Sequence, residues 1–183
     1  MHHLDWKLLN STYLLQNEWV AVRADRCEMP NGRLIDPYYI VESGSYVNIV
    51  PVTAAGEILF VRIYRHGLGK TILETPGGLI DAGESALAAA ERELLEETGY
   101  SCTTIQSIGS GSPDPARLSC HAYYFLATGV KVSAAPSWDD TEEMELLKLP
   151  ISKVKQLLFS GEIVDSVQQS ALFYALHTLG ELC

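Results

Sequence analysis

The sequence is poor in positive charge. Thirteen lysines and arginines stand against 23 aspartates and glutamates in 183 residues, a formal net charge of -10. Sequence-independent binding to nucleic acid needs a basic surface, so the composition argues against it. Cysteine is scarce as well: Cys27, Cys102, Cys120 and Cys183 are the whole set. No two are spaced as C-x-x-C, and none stands at zinc-finger spacing from a histidine. Reduced thiols of a cytoplasmic protein are the expectation, rather than a disulfide framework. No apolar run approaches the roughly 18 residues of a membrane span, and no charged segment leads into one. A soluble chain that is not exported is therefore expected. Internal repeats and low-complexity tracts are also missing.

What is present suffices for a packed core. Hydrophobic residues make up 47% of the chain, enough for one domain and a small appendage. "WVAVRADRC" alternates as a strand, "MPNGR" supplies an Asn-Gly turn, and "YYIVES" returns. This predicts an N-terminal antiparallel β hairpin over roughly 11–43, with a boundary at "SGS". The expected division is an appendage at 1–43 and a main domain at 44–183. In the main domain "YVNIVPVT", "ILFVRIYR", "KTILETP", "SCTTIQSIGS", "HAYYFLATGV" and "MELLKLP" read as strands. One helix runs from an N-cap at Ser85 to Thr98, closed by Gly99. Two more, "ISKVKQLLFSG" and "DSVQQSALFYALHTLG", are amphipathic and end in glycine. The fold class is α/β (α+β), a sheet between helices.

The helix at 85–98 poses a physical problem. Glu93, Glu96 and Glu97 stand at i, i+3 and i+4 and share one face, with Leu87, Ala90 and Leu94 forming an adjacent apolar stripe. Like charges at that spacing cost about 0.2–0.5 kcal/mol per pair, and only Arg92 is near enough to offset them. A solvated acidic face is one reading. The other follows from the preceding "PGGLIDAG", a glycine-rich loop that lets backbone carbonyls approach a ligand. Carboxylates gathered on one helical face suit a hard cation such as magnesium. A divalent cation also lets an acidic protein handle an anionic substrate.

Residues 78–100 resemble the signature of the Nudix hydrolases, G-x5-E-x7-R-E-U-x-E-E-x-G-U. The match runs through Gly78, Glu84, Arg92, Glu93, Leu94, Glu96, Glu97, Gly99 and Tyr100. Tyr100 departs from the aliphatic residue of the pattern. The resemblance implies a Nudix-type α/β/α sandwich with a mixed sheet. It implies hydrolysis of a nucleoside diphosphate linked to another moiety, with Mg2+ or Mn2+. By position, Glu93 and Glu97 would be metal ligands with Glu96 supporting and the Gly77 carbonyl adding an oxygen. Arg92 would pair with Glu84 in a structural role, and Gly78 and Gly99 would be structural as well.

"VNIVPVTAAGEILFVRIYRHG" and "LETPGG" resemble the ADP-ribose pyrophosphatase subgroup. That resemblance implies ADP-ribose as substrate, giving AMP and ribose 5-phosphate. Arg65 would bind substrate phosphate, for which a guanidinium fork is suited. Glu74 would line the site or pair with an arginine. Pro115, sixteen residues after Gly99, matches a proline of the subgroup, but Ala116 and Cys120 depart from the glycine and glutamate that often follow. GDP-mannose or an ADP-hexose is therefore an alternative substrate, and a nucleotide-sensing module without turnover is an alternative of another class. The N-terminal hairpin resembles the subgroup's dimerising element, which implies a homodimer. Trp19 would stack on adenine or be buried at the dimer seam, with Tyr38 and Tyr39 equally open. The catalytic base is expected from the acidic loop "SWDDTEEMELLKLP", with Glu142 chosen over Glu143 and Glu145, and with Asp139 and Asp140 as turn residues. His66, His121 and His177 show no ligand spacing and are expected to be structural.

Overall fold

The computed structural model describes residues 3–138 and 143–182. The chain divides into two units, one of residues Met1–Gly44 with Ser112–His121, the other of Ser45–Gly111 with Ala122–Cys183.

The first unit is a three-stranded antiparallel sheet of β1 (Lys7–Gln16), β2 (Ala21–Glu28) and β3 (Leu34–Glu42), in that order. The Asn-Gly turn closes β2 onto β3: Gly32 sits at φ 80 and its N–H donates to the Met29 carbonyl. A left-handed φ of this kind is nearly free for glycine alone. The sequence reading predicts two strands here, and the structure adds β1. Its "LL" doublets at 8–9 and 14–15 break the period-two pattern. The chain absorbs each with a register shift, between Leu8 and Asn10 and between Tyr13 and Leu15. The buried Asp25 carboxylate is held by the Ser11 hydroxyl at 2.6 Å and Arg23 Nε at 3.0 Å. Residues 112–121 join this unit through β3: Val41 N–H donates to the Arg117 carbonyl at 2.8 Å, and the Tyr38 hydroxyl to the Ala116 carbonyl at 2.6 Å.

The second unit is built on a mixed sheet. Its strands are β4 (Tyr46–Thr53), β5 (Glu57–Arg65), β6 (Lys70–Glu74), β7 (Tyr100–Ser101), β8 (Thr104–Gly111), β9 (Ala122–Val132) and β10 (Met144–Pro150). The central order is β10-β5-β4-β9-β7, with β6 paired to β5 and β8 to β9. The β4–β9 pair is parallel and the others antiparallel. Alternation along the central strands feeds two cores. Val47 and Ile49 of β4, with Phe125 and Ala127 of β9, pack on Ala89, Ala90 and Leu94 of α1 (Ala86–Thr98). Val50, Val52, Tyr124 and Leu126 face the opposite way, onto α2 (Ile151–Ser160) and α3 (Ser166–Thr178). The result is a three-layer α/β/α arrangement.

Helix α1 starts where the Ser85 hydroxyl accepts from Ala88 N–H at 3.1 Å and stops at Gly99, φ 73. Its apolar stripe differs from the predicted one in one residue. Leu87, in the first turn, is exposed, and Ala89 joins Ala90 and Leu94 in the core. Among the described residues no helix is long and apolar enough to cross a membrane.

Candidate active site

The glycine-rich loop leaves β6 and lies along β4 as a further strand would. Ile49 N–H donates to the Pro76 carbonyl at 2.8 Å, Val47 N–H to Gly78 at 2.9 Å, and Ile80 N–H to Ser45 at 3.0 Å. The loop is thereby sandwiched between β4 and the acidic face of α1. A Cβ on Gly77 would stand 2.1 Å from the Val47 carbonyl oxygen, and one on Gly78 would stand 2.2 Å from Glu93 Oε1. Gly77 is required for space because it faces backbone, whereas the clash at Gly78 is with a side chain that can turn away.

Arg92 organises the acid. Its Nε and Nη2 donate to the two Glu84 carboxylate oxygens at 3.1 and 2.9 Å, and Nη2 also reaches the Leu79 carbonyl at 2.9 Å. Its Nη1 donates to Glu93 at 2.8 Å and Glu96 at 3.1 Å. These partners, Glu84 first, raise the guanidinium pKa further. Glu97 is buried, and its Oε2 accepts the Gly77 N–H at 3.0 Å. The Trp138 indole N–H donates to the Glu97 carbonyl at 2.9 Å, which fastens the chain after β9 to the last turn of α1. One arginine thus stands among Glu84, Glu93 and Glu96. Glu93, Glu96 and Glu97 with the Gly77 carbonyl would form an all-oxygen donor set, the kind a hard divalent ion takes. Among the described residues no three His, Cys, Asp or Glu side chains are already gathered closely enough to share an ion.

Glu84 also fixes a pH response. The Arg92 hydrogen bonds, and then the Asp81 N–H, lower its pKa from the ordinary 4.5. A depressed folded-state pKa adds stability that is complete above the unfolded value and lost as pH falls through the folded one. Thermal melts from pH 6 to pH 3 should therefore show a steeper loss below about pH 4.5 in the wild-type protein than in Glu84→Gln. Parallel curves would contradict this.

A cavity of about 660 Å³ opens beside the loop, within the range of small-molecule sites. Asn48, Arg65, Glu74, Gly77, Asp165 and Gln168 contribute to its wall. Arg65 Nε and Nη2 donate to the buried Glu74 carboxylate as a fork, at 2.9 and 2.6 Å. That bond is the main cause of the raised Arg65 pKa, and Glu97 and Asp165 add to it. Asn48 Oδ1 is buried, and among the described residues no donor meets it. His66, expected to be structural, lines this cavity. A smaller cavity of about 400 Å³ has Arg62, Lys70 and Lys153 on its wall and none of the helix carboxylates.

The second unit therefore brings Arg65, Glu74, Gly77, Gly78, Glu84, Arg92, Glu93, Glu96, Glu97 and Gly99 into one neighbourhood around α1 and the loop. Trp19 and Pro115 belong to the first unit. Trp19 is 80% exposed in the turn after β1, its N–H bound to Asn17 Oδ1. Pro115 is exposed in a turn where Asp114 Oδ1 accepts from Ala116 N–H at 3.1 Å. Tyr38 packs edge-on to Trp6, and Tyr39 is exposed. Glu142, Asp139 and Asp140 lie outside the described residues. Glu143 is exposed, and Glu145 pairs with Arg62 across β10 and β5. His177 is exposed in the last turn of α3. Sequence reasoning missed Asn48, Trp138, Asp165 and Gln168. Only Asn48 carried a signal, as one amide in the otherwise apolar "YVNIVPVT".

Comparison with known proteins agrees with this architecture. Residues 43–165 match the NUDIX domain, and residues 6–41 match the nucleoside diphosphate sugar hydrolase N-terminal domain. The chain belongs to the Nudix hydrolase family, enzymes that generally use divalent metal ions. An ADP-ribose pyrophosphatase of Mycobacterium tuberculosis is 32% identical over 165 residues, 89% of this chain and 79% of that one. A methanol dehydrogenase activator of Bacillus methanolicus is 28% identical over 169 residues, covering 92% and 91%. A crystal structure of an ADP compounds hydrolase superposes with a TM-score of 0.84 at 25% identity, over 97% of both chains.

Proposed function

We propose that this enzyme is a magnesium-dependent pyrophosphohydrolase of nucleoside diphosphate sugars, with ADP-ribose as its first substrate and AMP and ribose 5-phosphate as products. The observation that carries the reading is the packing of the Gly77–Gly78 loop onto the Glu93, Glu96 and Glu97 face, beside a cavity that holds an arginine fork. Glu93 and Glu97, supported by Glu96 and the Gly77 carbonyl, hold the ion. Magnesium, when bound, supplies Lewis acidity to the diphosphate and to the attacking water. Arg92 keeps the carboxylates together and ties α1 to the loop through Glu84. Arg65 binds substrate phosphate, and Glu74 orients its guanidinium by the bidentate bond. Glu142 accepts the proton of the attacking water. Glu143 is the rival, whereas the Glu145 carboxylate is engaged by Arg62.

A homodimer is part of this proposal. All ten residues of β1 are exposed, Leu8, Leu9, Leu14 and Leu15 among them. An edge strand this apolar invites a partner. Sedimentation should give twice the 20.1 kDa chain mass, and Leu8→Glu with Leu15→Glu should shift it toward one chain. A monomeric wild type would contradict the dimer. The cytoplasm is the proposed location, in keeping with the free thiols of Cys27, Cys102 and Cys120.

The substrate assignment is tested by kcat/KM for ADP-ribose, ADP-glucose, GDP-mannose and UDP-glucose at saturating magnesium. ADP-ribose should rank first. Preference for another sugar nucleotide would keep the reaction and replace the substrate. Tight binding of every compound without turnover would favour a sensing module.

A further inference from the structure

We propose that Gln168 is a positioning residue for the metal-holding loop, acting through Thr75; the inference rests on the site assignment above. Gln168 lies beyond the 43–165 segment that matches the NUDIX domain. It is the third residue of α3, and with Asp165 it has the spacing of a helix capping box, in which it would turn back to its own helix start. It does not do so. Asp165 Oδ1 alone caps α3, accepting from Val167 N–H at 2.6 Å and Gln168 N–H at 3.2 Å. The Gln168 side chain, 3% exposed, is directed to Thr75 instead.

Thr75 needs that partner. β6 ends at Glu74, so Thr75 is the first residue past the β5–β6 ladder, and it is 1% exposed. A buried peptide group without a partner costs about 1–3 kcal/mol. Gln168 Oε1 accepts from Thr75 N–H at 2.9 Å and from the Thr75 hydroxyl at 2.5 Å, while Nε2 donates to the Thr75 carbonyl at 3.4 Å. The side-chain amide thus takes the place of a neighbouring strand for one residue. Two residues on, Gly77 N–H donates to Glu97, and between them the Pro76 carbonyl is bonded to β4. Gln168 therefore fixes the start of a backbone run that leads to the Gly77 peptide, and this peptide is in turn bonded to the Glu97 carboxylate of α1; both belong to the proposed ion-holding set. Groups that orient metal ligands are worth about 10–100-fold in metal affinity.

The test uses Mn2+ alone as the probe, its binding followed by electron paramagnetic resonance, with thermal melts in parallel. Gln168→Leu should weaken Mn2+ binding by about tenfold, and Gln168→Glu, which keeps an acceptor for both Thr75 donors, should restore much of it. Thr75→Val removes only the hydroxyl donor and should weaken binding to a smaller degree. It gives an independent reading if Gln168→Leu fails to fold. Leu172→Ala, a cavity in the α3 core, should lower the melting temperature and leave Mn2+ affinity unchanged. Wild-type Mn2+ affinity in a folded Gln168→Leu, or in Thr75→Val where it does not fold, would overturn the proposal, as would an equal loss in Leu172→Ala. Wild-type affinity in Glu97→Gln would instead overturn the site assignment on which it rests.

Discussion

Replacing Glu97 by glutamine should lower turnover by more than about two orders of magnitude while leaving the fold in place. A group that only orients a metal ligand contributes about 10–100-fold, and Glu97 is proposed as a direct ligand, so its loss should exceed that range. The amide retains an oxygen that can accept the Gly77 N–H, now bound to Glu97 at 3.0 Å. The loop should stay docked, and the melting temperature without metal should move little. Steady-state rates over a magnesium titration, with melts in parallel, separate the two effects. An active Glu97→Gln enzyme would remove the acidic helix from the chemistry. An inactive but unfolded one would make Glu97 a structural residue.

Gly77→Ala should be the most destabilising single substitution in the loop. The added methyl would stand 2.1 Å from the Val47 carbonyl oxygen and 3.0 Å from its carbon. Both atoms are backbone of a central strand, and Val47 is fully buried. Relief requires the loop to leave β4 and break the bonds from Val47 and Ile49 N–H. Overpacking typically costs about 1–3 kcal/mol, and more where nothing can yield, so a loss of about 3 kcal/mol or more is expected by denaturant unfolding. Gly78→Ala differs in kind, because its methyl meets the Glu93 carboxylate, which can rotate. It should lose activity more than stability. Equal stability losses in the two variants would contradict this account of the loop.

The legible parts of the chain are those decided by neighbours in sequence. Helix α1 could be read because Ser85 and Gly99 are local start and stop signals that act through bonds within one turn. Strands β4 and β5 could be read because two packed faces demand long apolar runs. The acidic cluster was visible because i, i+3 and i+4 share a helical face. β1 was not visible, since its leucine doublets are reconciled with a strand only by bulges against β2. Nor was Gln168, whose partner is 93 positions away and whose sequence context advertises a local cap. Leu87 shows the limit of a helical wheel, which fixes a direction but not where the sheet beneath ends.

The proposed reaction is cleavage of the diphosphate of a nucleotide sugar with magnesium. The most direct measurement is a phosphorus NMR time course of ADP-ribose with the purified protein and magnesium, before and after chelation. The account predicts that the diphosphate signals decay into two phosphomonoester signals, those of AMP and ribose 5-phosphate, and that chelation stops the decay. Persistence of the diphosphate signals with magnesium present, or an undiminished decay after chelation, would contradict it.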